Sequence, residues 1–151
     1  MVAVVRPDSM ELMSTLKSEG CEVVVCDRAS DGMGASLACA ARAAAHLHPG
    51  ADGYLVALGD MPFVRPTTIA AVRDALAAGA PLAAPYFRGH RGHPVALSSG
   101  FFKELLALGG DEGAKKLVTA NEQKLVKIPV GDPGVIRDID RPEDLAPPLR
   151  I

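Results

Sequence analysis

The chain has 151 residues, the length of about one ordinary domain, and is 48% hydrophobic and 23% charged, the balance of a globular protein. A net charge of −2 and an isoelectric point near 6.1 give no footing for nucleic acid or an anionic membrane surface. Basic residues are scattered, Lys115-Lys116 being their only adjacent pair, and no apolar run approaches the roughly 20 residues of a membrane span.

In chain order, Val2-Ala3-Val4-Val5 reads as a buried strand, and Met10, Met13 and Leu16 mark a helix over 8–19 that Gly20 stops. A second strand over 22–26 leads into a polar, glycine-containing loop over 27–34 and an alanine-rich helix over 35–47. A third strand over 54–58 ends in Gly59-Asp60-Met61-Pro62. Thr67 reads as the N-cap of a helix over 68–78 that Gly79 ends. Strands alternating with helices predict a parallel sheet with helices on both faces.

The second half reads differently. A brief strand over 81–85 and a basic, glycine-rich turn over 86–93 lead into a strand over 94–97. Helices follow over 100–107 and 112–120, the latter capped by Asp111. Segments 124–128 and 134–136 read as strands and 142–145 as a helical turn. With no repeat or linker, one domain over 1–151 is expected.

Cys21, Cys26 and Cys39 form neither a disulfide framework nor paired CxxC spacing and read as small buried hydrophobes. Reduced thiols, and an N-terminus without a signal-peptide pattern, lead to the expectation of a cytoplasmic protein.

Ligands of open parallel sheets bind beyond the carboxyl ends of the strands. Gly32-Met33-Gly34-Ala35-Ser36 lies at such an end, before a helix whose dipole favours an anion; on spacing alone a flexible strand–helix turn is the simpler explanation of the glycines. Asp60 follows a strand where a hard cation and phosphates could meet it, or it caps its own turn. Asp138 and Asp140 point to one side of an extended segment and can face one Mg²⁺, whereas Glu143 and Asp144 fit a solvated helix start. Arg88-Gly89-His90-Arg91-Gly92-His93-Pro94 has the composition of an anion-receiving loop, with a plain surface hairpin as the alternative.

Taken in order, Gly32-Met33-Gly34-x-Ser36, Leu58-Gly59-Asp60-Met61-Pro62, Arg91-Gly92-His93-Pro94, Gly110-Asp111-x-Gly113-Ala114 and Asp138-Ile139-Asp140-Arg141-Pro142-Glu143-Asp144-Leu145 resemble the MobA-like NTP transferases. The resemblance is closest to the MocA-type molybdenum cofactor cytidylyltransferases and runs from Val2 to Leu145. It implies a Rossmann-like three-layer α/β/α nucleotidyltransferase fold, of the nucleotide-diphospho-sugar transferase kind, with a mostly parallel sheet. It also implies transfer of CMP or GMP from CTP or GTP to the terminal phosphate of molybdopterin, with release of pyrophosphate and with Mg²⁺ as cofactor. On it, Asp60 and Asp140 are catalytic, Asp60, Asp138 and Asp140 are the metal positions, and Asp140 is favoured over Asp138. Gly32, Met33, Gly34 and Ser36 match a loop near the nucleobase and ribose, and His90, Arg91 and His93 match the side facing the acceptor. Arg141 stands where a Thr is usual.

One departure is large. Family members begin with a strand and a loop of the form Leu-Ala-Ala-Gly-x-Ser-x-Arg-Met-Gly, followed by a lysine, whose backbone N–H groups cradle the triphosphate. Residues 2–5 match the family's second strand, so the resemblance implies an N-terminal truncation of roughly one βαβ unit. Loss of a central strand exposes sheet backbone, and self-association through that edge is expected. Two functions follow: a nucleotidyltransferase of molybdenum cofactor biosynthesis, or a module of this fold that holds a nucleotide or partner without catalysis. A related guanylyl- or sugar-nucleotidyltransferase fits the fold but suits Arg91-Gly92-His93-Pro94 less well.

Overall fold

The apolar runs become strands and the segments of helical spacing become helices in the computed structural model, which describes residues 1–111 and 113–145. In chain order these are β1 (Val2–Val5), α1 (Met10–Ser18), β2 (Glu22–Val25), a 3₁₀ turn (Ala29–Asp31), α2 (Met33–Leu47), β3 (Gly53–Val56) and α3 (Pro66–Ala77). Then come β4 (Leu82–Phe87), β5 (His90–Arg91), β6 (Val95–Ser98), a 3₁₀ turn (Ser99–Phe101), α4 (Phe102–Leu106) and α5 (Gly113–Ala120). A 3₁₀ turn (Glu122–Lys124) precedes β7 (Leu125–Pro129), and two more close the described chain, Pro133–Ile136 and Pro142–Leu145. The start expected for the fifth helix, at 112, and the last six residues of the expected domain lie outside the described residues.

The residues divide into two compact units, one of Met1–Asp52 with Ser99–Glu122, the other of Gly53–Ser98 with the chain from Gln123. In the first, β1 and β2 pair in parallel, in register from Val2 opposite Glu22 to Val5 opposite Val25. The parallel pairing follows from α1, which carries the chain back between them. Helix α2 buries Gly34, Ala35, Ala38 and Ala41, three or four residues apart on one face. Such small side chains let its backbone approach β1, α4 and α5 closely.

In the second unit β4 is the hub. It pairs antiparallel with β6 and β5 and in parallel with β7, and β6 also pairs antiparallel with β3. The α/β class matches the sequence reading, but the expectation of a mostly parallel sheet is corrected: the sheet is mixed. The physical reason is connection length. β4, β5 and β6 are joined by turns of two and three residues, whereas a parallel crossover needs a dozen or more. Because β6 runs opposite to both β3 and β4, those two point the same way across α3, so the expected βαβ direction survives with a strand interposed. Val72 of α3 packs with Ala83 and Ala96, all at 0% exposure, against Leu76, Ala80 and Ile128.

Two local expectations are also corrected. Thr67 is not a cap: α3 starts at Pro66, after an extended Arg65, with no side-chain cap. Pro at the first helical position is preorganised for the turn and has no N–H to satisfy. Residues 134–136 are not a strand but part of a 3₁₀ turn, because Asp132 accepts the Gly134 N–H and Pro133 fixes the first turn.

Gly134 has no room for a side chain, since a Cβ there would overlap the Phe63 carbonyl and sit 2.9 Å from the Val64 nitrogen. Gly134→Ala is expected to cost about 2–3 kcal/mol, lowering Tm by roughly 4–12 °C for a chain of this size. Gly131→Ala, where a Cβ meets nothing within 4 Å, should leave Tm nearly unchanged. Thermal melts of the two variants side by side check this.

Candidate nucleotidyl-transfer site

In the second unit, Asp60 lies in the turn that follows β3, where the Met61 N–H donates to the Leu58 carbonyl at 3.4 Å. Its side chain is exposed, and its backbone carbonyl accepts the Ile139 N–H at 2.8 Å. That bond sets the Asp60 turn beside the 138–140 segment, far away in sequence. Asp138 and Asp140 are exposed and Ile139 is half-buried, as expected for alternating sides of an extended segment.

Asp144 serves the fold rather than the solvent-facing set. Its Oδ2 accepts the N–H groups of Asp140 at 3.2 Å and Arg141 at 2.9 Å. The reading of Asp144 as a helix-start residue holds, but its charge is corrected from solvated to half-buried and hydrogen-bonded. Arg137, which sequence reasoning passed over, donates through Nη2 to the Asp144 carbonyl at 2.6 Å and stacks its guanidinium 4.4 Å from the Phe63 ring centroid.

Asp132 was also missed. It is 2% exposed and accepts hydrogen bonds from Arg65 N–H (2.8 Å), the Thr68 hydroxyl (2.7 Å) and Gly134 N–H (3.0 Å). The readable signal was local: Asp-Pro-Gly is a capped turn with proline at its first position. Its partners on α3 left no trace in the neighbouring sequence.

The segment 88–94 begins as a tight hairpin. Arg88 (φ 49°) and Gly89 (φ 85°) form the two-residue turn between the paired Phe87 and His90. His90 is exposed and Arg91 half-buried, so both can meet an incoming anion. His93 turns inward. Its N–H donates to the Val135 carbonyl at 2.9 Å, and its imidazole Nδ1 is buried without a hydrogen-bond partner. Burial lowers the His93 pKa, aided by the Arg91 charge and opposed by a hydrogen bond to the Val56 carbonyl and by the Asp60 charge.

A pH dependence follows. Native His93 resists the proton that the unfolded chain takes up near pH 6.5, so stability falls as pH drops below that value. Urea unfolding at pH 7.5 and 5.5 should show a smaller loss in His93→Gln than in the parent; equal losses would count against a depressed His93.

The other sequence-marked residues lie in the first unit, around a cleft of about 490 Å³ lined by Val4, Arg6, Ser30, Met33, Ser36 and Asp111 among others. It opens at the carboxyl end of β1, where the sheet rule places ligands. Gly32 and Met33 line it, Met33 being 51% exposed. Gly32 (φ 115°) and Gly34 allow close approach to backbone of the same unit. A Cβ on Gly34 would stand 2.6 Å from the Gly109 carbonyl oxygen, and the Gly34 N–H donates to the Gly110 carbonyl at 2.7 Å.

The cysteine expectation holds for Cys21 and Cys26, which are buried, and is corrected for Cys39, which is half-buried on α2; all three are free thiols. Burial and the neighbouring Cys26 thiol push Cys39 up to about 11, which makes it a poor nucleophile. No described helix is long and apolar enough to cross a membrane.

The candidate donors of the second unit, Asp60, Asp138 and Asp140, are exposed carboxylates, the oxygen chemistry that a hard divalent cation takes. Among the described residues no group of three acidic, histidine or cysteine side chains could enclose an ion. Mg²⁺ keeps several waters and takes one or two carboxylates together with substrate phosphates. Asp60 with Asp138 or Asp140 would be the residues to hold such an ion.

The model of the MobA-like NTP transferase domain matches residues 1–125. The purine catabolism protein PucB of Bacillus subtilis is 33% identical over 123 residues, which cover 80% of this chain and 57% of PucB. The match thus spans less than two-thirds of that relative. Among solved structures, the manganese complex of Rv0371c from Mycobacterium tuberculosis superposes with a TM-score of 0.75 at 28% identity, covering 95% of this chain and 73% of that one. A nucleotidyl transferase from Methanothermobacter thermautotroptrophicus shares the fold, with a TM-score of 0.73 at 23% identity over 95% of this chain and 68% of the other.

Proposed function

The chain belongs to the MobA-like NTP transferase family, and we propose that it transfers CMP or GMP from an NTP to the terminal phosphate of a molybdopterin-type acceptor, releasing pyrophosphate. The observation that carries this reading is the 2.8 Å bond from Ile139 N–H to the Asp60 carbonyl, which sets the two acid-bearing segments side by side. The family model runs across both compact units, which supports treating them as one domain. The manganese complex of Rv0371c supports a divalent cation.

In this reading Asp60 and Asp140, with Asp138 beside them, hold Mg²⁺. Bound there, the ion neutralises charge that develops on the α-phosphate and the leaving pyrophosphate. The chain's own residues supply position. An oxygen of the acceptor phosphate attacks the α-phosphorus in line, and the bond to the pyrophosphate oxygen breaks. Arg91 and His90 on the hairpin attract the acceptor's phosphate by charge and hydrogen bonding. His93, neutral and turned inward, holds the hairpin to the end of β3 just before the Asp60 turn. Self-association through open strand edges belongs to the same proposal, with β3 paired on one side only among the described residues.

The alternative reading is a module of this fold that holds a nucleotide or partner without catalysing transfer. Pyrophosphate release separates the two. Incubation with Mg²⁺, CTP or GTP and a molybdopterin acceptor should release pyrophosphate only when the acceptor is present. Nucleotide binding without release would support the module.

A further inference from the structure

We infer that Arg137 is a positioning residue that fixes the spacing of the carboxylates on its two flanking loops. The inference rests on the carboxylate reading above and goes beyond it, since nothing in that reading assigns Arg137 a role. Three tethers hold the segment that carries Asp138 and Asp140. Ile139 N–H is bound to the Asp60 carbonyl at 2.8 Å, and the N–H groups of Asp140 and Arg141 are bound to the Asp144 carboxylate. Arg137 supplies the third and spans the other two. Its Nη2 holds the carbonyl of the same Asp144 at 2.6 Å, while the guanidinium lies 4.4 Å from the centre of the Phe63 ring, three residues beyond Asp60.

Each contact uses a different property of the guanidinium. The guanidinium carbon lies over the ring as a cation, and one of its N–H groups donates to the carbonyl. One side chain therefore clamps the Asp60 loop to the turn that caps Asp140. The packing of Gly134 against the Phe63 carbonyl fixes the ring's own loop from the opposite neighbour in sequence. Without the clamp, the exposed acids would spread apart under their mutual repulsion, and an ion would have to draw them back. That cost appears as weaker ion binding with no loss of sites. Partners that orient metal ligands typically change affinity by about 10–100-fold when removed.

The test is titration of the full chain with Mn²⁺ alone, following free Mn²⁺ by electron paramagnetic resonance, with thermal melts alongside. Arg137→Gln should raise the half-saturating Mn²⁺ about tenfold or more, with unchanged capacity at saturation. Arg137→Lys, which keeps charge but loses the flat fork, should recover only a minor part of that loss. Phe63→Leu removes the stacking partner and should shift affinity in the same direction, which decides the matter if Arg137→Gln does not fold. A merely structural role would lower Tm and leave the half-saturating concentration unchanged, and that result in both Arg137→Gln and Phe63→Leu overturns the inference. If the parent binds no Mn²⁺ either alone or with CTP present, or Asp60→Asn binds it as the parent does, the carboxylate reading itself falls and the inference with it. If Asp60→Asn weakens binding while the Arg137 and Phe63 variants do not, the carboxylate reading stands and the inference alone is wrong.

Discussion

Asp60→Asn is expected to lower nucleotidyl transfer by about 10²–10³-fold while leaving the fold intact. The Asp60 side chain is exposed, and its tie to the 138–140 segment runs through the backbone carbonyl, which asparagine retains. Exposed substitutions of this kind usually change stability by about 0.5 kcal/mol or less. In the proposed site the lost negative charge is one of two or three that would hold the cation. Metal-assisted charge neutralisation is worth several kcal/mol, and each 1.36 kcal/mol is about tenfold in rate. Initial rates of pyrophosphate release with melting curves for both proteins check it. A variant that melts like the parent and keeps more than a tenth of its rate would remove Asp60 from the reaction.

The largest effect on stability is expected at Asp132, a residue with no place in the chemistry. Asp132→Ala leaves the Arg65 N–H, the Thr68 hydroxyl and the Gly134 N–H without their common acceptor in a site 2% exposed. Each orphaned buried donor costs about 1–3 kcal/mol, and partial relaxation makes about 3–5 kcal/mol a fair total. Asp132→Asn keeps one acceptor oxygen and should lose roughly half as much.

The carboxylate adds an acid limb. Burial alone would raise its pKa, but the hydrogen bonds from Arg65, Thr68 and Gly134, with the Arg65 charge, hold it below the ordinary value. A depressed carboxyl contributes stability above its unfolded pKa of about 3.9 and loses it as pH falls through the folded value. Urea unfolding at pH 7 and pH 3 should therefore show a steeper acid loss in the parent than in Asp132→Ala. An Asp132→Ala protein within about 1 kcal/mol of the parent would show that these donors find water instead.

Asp132 also marks what the sequence could and could not reveal. Elements with a local cause were legible: the valine runs of β1 and β2, the Met-Met-Leu spacing of α1, the helices that stop at Gly20 and Gly79. Motif order pointed to the family, and Asp60, Asp138 and Asp140 could be picked as the exposed acids. Features with a distant cause were not legible. Thr67 looked like a cap because no local rule says that α3 is tied down by Asp132. Val135 and Ile136 looked like strand because apolar, β-branched residues also pack over a 3₁₀ turn. His93 looked like a group facing the acceptor, but its imidazole is turned inward, with a buried Nδ1 and a hydrogen bond to the Val56 carbonyl. The mixed sheet escaped because β6 inserts between β3 and β4, a choice made by pairing rather than by either strand's own pattern.

The central claim, that Asp60 and the 138–140 acids bind a divalent cation together with a nucleotide, is tested most directly by calorimetry. CTP and GTP are titrated into the full chain with and without Mg²⁺, and again into Asp60→Ala. The account predicts nucleotide binding that requires Mg²⁺ and weakens at least about tenfold in the variant. Binding indifferent to Mg²⁺ and to the substitution, or no binding of either nucleotide to the parent, would contradict it.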